Sequence, residues 1–203
     1  MTSTDILISL QQLIALTNTG LAFSQNQFDQ ERYEAIHLQL DHLLNQVSSL
    51  DQTEITELLK PTNAYVTPLV DTRAVLIHHH KLCLVQDRHS QEWSLPGGFA
   101  EVGLSAKENI IKEVYEETGY HVLVKRLLAI YETNRHQPQS KHFYKLIFEC
   151  DIIDGEFKPN LEVSQLDFFD CHQLPALSLK RNTKVQLQQC FDVAIHQKQT
   201  IID

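Results

Sequence analysis

"LPGGFAEVGLSAKENIIKEVYEETGYHV", residues 95–122, joins a Gly-Gly turn to a helical pattern that crowds Glu113, Glu116 and Glu117 into one turn. The helix boundaries are legible. Ser105-Ala106-Lys107-Glu108 is a capping box that starts a helix at Ala106, and Gly119 falls where a left-handed residue would end it. Ile110, Ile111, Val114 and Thr118 make the expected buried stripe, while the glutamates, at i, i+3 and i+4, share one side. Like charges at that spacing destabilise a helix by roughly a few tenths of a kcal/mol. Late in the helix they also approach the negative end of its dipole, and Lys112 relieves only part of this. A divalent cation would turn the repulsion into coordination, because Mg²⁺ and Ca²⁺ prefer hard carboxylate oxygens. Three glutamates alone would read as a solvated helix face. The glycines shift that balance, since they allow backbone to approach the same place closely.

Outward from this stretch, "VDTRAVLI" (70–77), "KLCLVQD" (81–87), "HVLVKRLLAIYE" (121–132), "HFYKLIFECDI" (142–152) and "VSQLDFF" (163–169) read as strands. His78-His79-His80 reads as a hairpin end rather than a metal site, because consecutive strand residues point in alternating directions. Trp93 is expected in the core beside the glycine turn. A last amphipathic helix, with Val185, Leu187, Phe191 and Ala194 on its apolar face, follows Asn182. Strands and helices mix without regular βαβ alternation, so the expected class is α+β, a sandwich built on a mixed sheet.

The first ~60 residues differ. Tyr33, Ile36, Leu40, Leu43, Leu44 and Val47 recur at helical spacing. Helices around Asp5–Leu16 and Thr53–Leu59 flank them, and "KPTNAYVTP" (60–68) breaks the pattern with two prolines. The expected division is a helical domain over 1–65 and a second domain over 66–203. A segment of that size hardly buries its apolar faces alone, so it is expected to pack on the second domain or on another subunit as a homodimer.

At 203 residues and a formal net charge of −9, the chain lacks the basic surface that duplex nucleic acid requires. Four scattered cysteines without a CxxC pair disfavour structural zinc or a disulfide framework. No basic leader and no membrane-length apolar stretch are apparent, which gives a cytoplasmic expectation.

Aligned from Gly98, the opening stretch resembles the Nudix box, G-x5-E-x7-R-E-U-x-E-E-x-G-U, with U a bulky apolar residue. It matches at Glu113, Val114, Glu116, Glu117 and Gly119, with Tyr120 last; the first Glu of the pattern falls on Leu104 and its Arg on Lys112. "WSLPGG" (93–98) is similar to family sequences as well, and the resemblance spans about residues 68–175. It implies a Nudix α/β/α sandwich that hydrolyses nucleoside diphosphate derivatives with Mg²⁺ or Mn²⁺. Gly98, Glu113, Glu116 and Glu117 would be the metal ligands, and Glu113, Glu117 or Glu162 the catalytic carboxylates. Glu101 is a substitute for the carboxylate missing at Leu104. Substrate contacts are expected from Arg73, which equally suits a surface ion pair, and from His136, His142, Tyr144 and Lys145. The helical N-terminus, "HQPQSKHFYK" (136–145), "LPALSLKRNT" (174–183) and the closing "IID" are similar to a subgroup acting on CDP-choline or ADP-ribose. Its rivals are a catalytically silent sensor of a nucleotide ligand and, less favoured by the acidic charge, hydrolysis of RNA ends.

Overall fold

The computed structural model describes residues 3–48, 50–62, 64–137 and 139–203. Asn63 and Pro138, which fall in two of the stretches quoted above, lie outside them. The chain separates into two compact units, Met1–Pro68 with Pro138–His142, and Leu69–Gln137 with Phe143–Asp203.

The first unit holds three helices, α1 (Ser3–Phe23), α2 (Gln27–Val47) and α3 (Gln52–Leu59). Asn26 caps α2 by accepting from Phe28 N–H, and an Asp51/Glu54 capping box starts α3. Leu10 and Ile14 of α1, Leu40 and Leu44 of α2, and Ile55 and Leu59 of α3 form its core. The expected α2 stripe is only half right, because Ile36, Leu43 and Val47 are exposed. Gln11 donates to the carbonyls of Gln139 and Ser140, tying that segment to α1. The first helix runs a full turn and more beyond the expected Leu16. Over Asp5–Phe23 it has a mean hydropathy of 1.4 and is long and apolar enough to cross a membrane. This corrects the expectation of no such stretch, although a helix contributing to a soluble core passes the same test.

In the second unit, β1 (Leu69–His78), β2 (Lys81–Asp87), β3 (Trp93–Ser94), β4 (Gly97–Phe99), β5 (Tyr120–Glu132), β6 (Phe143–Gly155), β7 (Val163–Phe169) and β8 (Ile201–Ile202) form a mixed sheet. Its order is β3-β2-β1-β6-β5-β8, with β4 paired to β1 and β7 to β2. The β1/β6 and β5/β8 pairs are parallel and the others antiparallel. Alternation along β1 sends Ala74 and Leu76 to one face and Val75 to the other. Ala74 and Leu76 pack with Ile110 and Val114 of α4 (Ala106–Thr118), while Val75 packs with Leu187, Cys190, Val193 and Ala194 of α6 (Lys184–Ile195). The result is the expected sandwich of helix, mixed sheet and helix.

The α6 face needs one correction. Val185 is 59% exposed, and Cys190 and Val193 take the buried positions beside Leu187 and Ala194. Thr183 caps the helix, which places Val185 in its first turn, facing away from the sheet. Trp93 is buried edge-to-face against Phe169, 4.8 Å between centroids. The hairpin between β1 and β2 turns at His79 and His80, both with positive φ. β3, β4, β8 and the short α5 (Thr133–His136) were not expected from sequence. All four cysteines are free and buried, and burial pushes the Cys150 and Cys190 thiols up to about 12, where they are inert.

Candidate active site

Helix α4 begins with the reciprocal Ser105/Glu108 capping box and ends at Gly119, φ 73°. The two glycines upstream are required for different reasons. Gly97 has φ 137°, and a Cβ there would lie 2.0 Å from the Thr72 carbonyl oxygen. A Cβ on Gly98 would instead come within 2.8–3.0 Å of the Glu113 carboxylate. The turn thus lies directly against the glutamates, as close backbone approach requires.

The three carboxylates have separate environments. Glu117 is buried, and its Oε2 accepts from Gly97 N–H at 2.8 Å. Burial lifts its carboxyl to about 7, with Glu113 adding to the rise while Arg73 and the Gly97 N–H oppose it. Glu113 is half-buried and also raised, first by burial and then by Glu116 and Glu162, against Lys112 and Arg73. Glu116 is exposed and accepts from Lys112 Nζ at 2.8 Å; the same ammonium reaches Glu101 at 3.0 Å. Glu101, the substitute for Leu104, is therefore held in a surface pair. Leu104 itself is partly exposed in the turn before α4.

Arg73 is not in a surface pair. It is buried, with Nε 3.0 and 3.1 Å from the two Asp71 oxygens and one terminal nitrogen 3.2 Å from the Leu95 carbonyl. Burial alone would lower its pKa, but Asp71, Glu117 and Glu113 raise it overall. Lys145 is fully buried too, with its ammonium on Gln137 Oε1 at 3.2 Å and on the Arg181 carbonyl. Tyr144, its neighbour on β6, is exposed. His136 bonds Asp203 and packs edge-on to Tyr131. His142 is exposed and is grouped with the helical unit. Glu162 is exposed in the loop before β7, close enough for its charge to act on Glu113.

Three residues that matter here were not singled out from sequence. Asp71 was recoverable, because D-x-R on a strand puts both side chains on one face. Asn160 donates to the Glu116 and Glu117 carbonyls at 2.9 and 3.3 Å, closing the end of α4. Asn182 accepts from Leu95 N–H at 2.9 Å across 87 residues. No local spacing announces either asparagine.

In chemistry the donors fit a hard divalent cation. Two desolvated carboxylates, both with raised pKa, flank a glycine turn whose Gly98 lies against the Glu113 carboxylate. In arrangement they are not gathered: Glu116 faces Lys112, and among the described residues no three His, Cys, Asp or Glu side chains converge on one point.

Residues 60–190 match the NUDIX domain. The chain belongs to the NUDIX family. Residues 4–59 match a "UDP-X-like, N-terminal oligomerisation domain". YjhB of Bacillus subtilis (strain 168), a candidate ADP-ribose pyrophosphatase, is 39% identical over 196 residues, covering 95% of this chain and 94% of YjhB. A crystal structure of a UDP-X diphosphatase is 47% identical, with both chains fully covered and a TM-score of 0.67. An ADP-ribose pyrophosphatase from Streptococcus suis is 38% identical over 68% of this chain and all of that one, TM-score 0.63. The Nudix assignment makes the protein a hydrolase, and its full-length relatives are pyrophosphatase-like.

Proposed function

We propose that the protein hydrolyses the pyrophosphate link of a nucleoside diphosphate joined to a second moiety. The observation that carries this is the burial of Glu117 on Gly97 N–H, with Glu113 against Gly98. Such an arrangement holds two carboxylates, otherwise mutually repulsive, ready for a cation.

Glu113, Glu116, Glu117 and the Gly98 carbonyl would hold Mg²⁺ or Mn²⁺. When bound, the ion neutralises phosphate charge and polarises the centre that water attacks. Gly97 fixes the Glu117 carboxylate through a charge-assisted hydrogen bond. A carboxylate among Glu113, Glu117 and Glu162 takes the proton from the attacking water. Burial raises both Glu113 and Glu117, and Glu117, at about 7, comes into the range where a general base works. Tyr144, exposed on β6, is a candidate substrate contact; the enclosed ammonium of Lys145 acts from behind the surface.

The similarity to UDP-X and ADP-ribose hydrolases makes UDP-sugars and ADP-ribose the first substrates to test, with CDP-choline beside them. The N-terminal helices, over 1–65 in our division, would join two copies as a homodimer, in keeping with the oligomerisation domain they match. We place the enzyme in the cytoplasm.

The test is turnover of these compounds, and of RNA with a 5′-diphosphate-linked cap, with Mg²⁺ or Mn²⁺. Glu117→Gln is run in parallel. We expect one nucleoside diphosphate derivative to be cleaved, and Glu117→Gln to lose about 100-fold or more, beyond what groups that only orient a metal ligand ordinarily cost. Its metal-free melting temperature should not fall, since Gln keeps the acceptor for Gly97 and removes one crowded charge. Unchanged turnover in the variant defeats the site assignment. Cleavage of nothing, with tight binding of one compound, points to a sensor instead.

A further inference from the structure

The segment Trp93–Gly98 divides its backbone pairing among three neighbours, the first being β2, which pairs with Trp93 and Ser94. Towards β1, Arg73 donates to the Leu95 carbonyl at 3.2 Å and Ala74 N–H to the Pro96 carbonyl at 2.9 Å. Towards the 176–182 loop, Trp93 N–H donates to the Ala176 carbonyl and its own carbonyl accepts from Ser178, both at 2.9 Å. The remaining group on that side, Leu95 N–H, has its acceptor in a side chain, Asn182 Oδ1 at 2.9 Å. Two residues further on, Gly97 N–H meets Glu117.

Asn182 is itself held. It is 1% exposed, and its N–H donates to the Ser178 carbonyl at 2.9 Å. The preceding Arg181 carbonyl receives the buried Lys145 ammonium, and the following Thr183 caps α6. Its Nδ2 has no partner among the described residues. The amide therefore serves Leu95 alone, as an acceptor.

We infer that Asn182 is a positioning residue of the hydrolytic site: by holding Leu95 N–H it sets the turn that presents Gly97 N–H to Glu117, and with it the carboxylate that is to bind the cation. This rests on the metal-dependent reading above. If Oδ1 is removed, a buried N–H has no acceptor, and the turn must move to reach one. The displacement is passed to Glu117, where outer-shell losses weaken metal binding by roughly 10–100-fold.

The experiment compares Asn182→Leu, which removes the acceptor, with Asn182→Asp, which keeps it. Gln186→Met is the control, because Gln186 is equally buried, lies next in the same loop-to-helix junction and accepts only from Thr183. Mn²⁺ binding is measured calorimetrically without substrate, together with kcat, KM and the melting temperature. Asn182→Leu should bind Mn²⁺ roughly 10–100-fold more weakly and lose kcat with little change in KM. Asn182→Asp should recover most of the Mn²⁺ affinity, and Gln186→Met should lower the melting temperature alone. Wild-type affinity in Asn182→Leu, or an equal loss in Gln186→Met, overturns the inference. Absence of Mn²⁺ binding by the wild type overturns the metal-dependent reading instead. If Asn182→Leu does not fold, Asn182→Ala, which also removes the acceptor, is read by the same criteria.

Discussion

Two cations flank the glutamate turn, and they are opposites in everything but charge. Lys112 sits on α4 itself, at the motif position, with its ammonium in water between Glu101 and Glu116. Arg73 comes from β1, 39 residues earlier, and is buried on Asp71 and the Leu95 carbonyl, with its field reaching Glu117 and Glu113. Water and salt screen the first; the low dielectric around the second does not. A planar guanidinium takes two carboxylate oxygens and a carbonyl together, which a point-like ammonium cannot do. A charge in the motif and a charge at the site are separate matters. Glu117 answers to the strand residue, while Glu113 feels both cations.

Breaking the buried member should have the largest effect. Arg73→Met leaves the Asp71 carboxylate buried without its partner and the Leu95 carbonyl without its donor. Removing one member of a buried pair costs about 3–5 kcal/mol, to be read as a lower urea midpoint at constant slope. Adding Asp71→Asn should recover a good part of that loss, because the stranded charge is gone. A loss below about 1 kcal/mol in the single variant would mean that Arg73 behaves as a surface cation, and the contrast would collapse.

The same contrast marks what sequence reading reaches. The α4 boundaries, its buried stripe of Ile110 and Val114, and five long strands follow from caps and periodicity, which act over a few residues. The glutamates' common side follows from the helix repeat. What escaped depends on distant pairing. β3 and β4 are too short for any period and are held by partners on β1, β2 and the 176–178 segment. β8 is two residues long and exists through pairing with β5. Arg73 looked equally suited to phosphate or to a surface pair because burial is a property of the assembled sheet. Asn182 meets Leu95 only after the whole domain has closed. Val185 misled through composition: an apolar residue in the first turn of a capped helix need not face the sheet.

Lys145 gives the next test, because among the described residues no carboxylate is bonded to this buried cation. Burial, reinforced by Arg73, lowers its pKa from 10.5 to about 8, with Asp71 opposing. Between those values the unfolded chain binds the proton more tightly than the folded one, so stability must rise with pH from about 8 to 10.5. Below about 8 the penalty of the buried charge is present in full. Lys145→Met removes this term. The stability difference, wild type minus variant, should therefore grow by about 2 kcal/mol from pH 8 to 10.5, as measured by urea unfolding. A flat difference would show that the ammonium is solvated in the folded protein.

Lys112 should have the smallest effect, and its salt dependence is the informative part. Its pKa is held up by hydrogen bonds to Glu116 and Glu101, yet both partners are exposed carboxylates that water solvates well when the lysine is absent. Lys112→Gln should lower the melting temperature slightly at 10 mM NaCl and not detectably at about 0.5 M, where the screening length is shorter than the separation of most surface charges. The variant also releases Glu116 from its contact with Lys112. Loaded with Mn²⁺, it should therefore bind the ion no more weakly than the wild type, and calorimetry decides the point. A salt-independent fall in melting temperature as large as that of Arg73→Met would put Lys112 inside the protein's electrostatic core and erase the difference between the two cations.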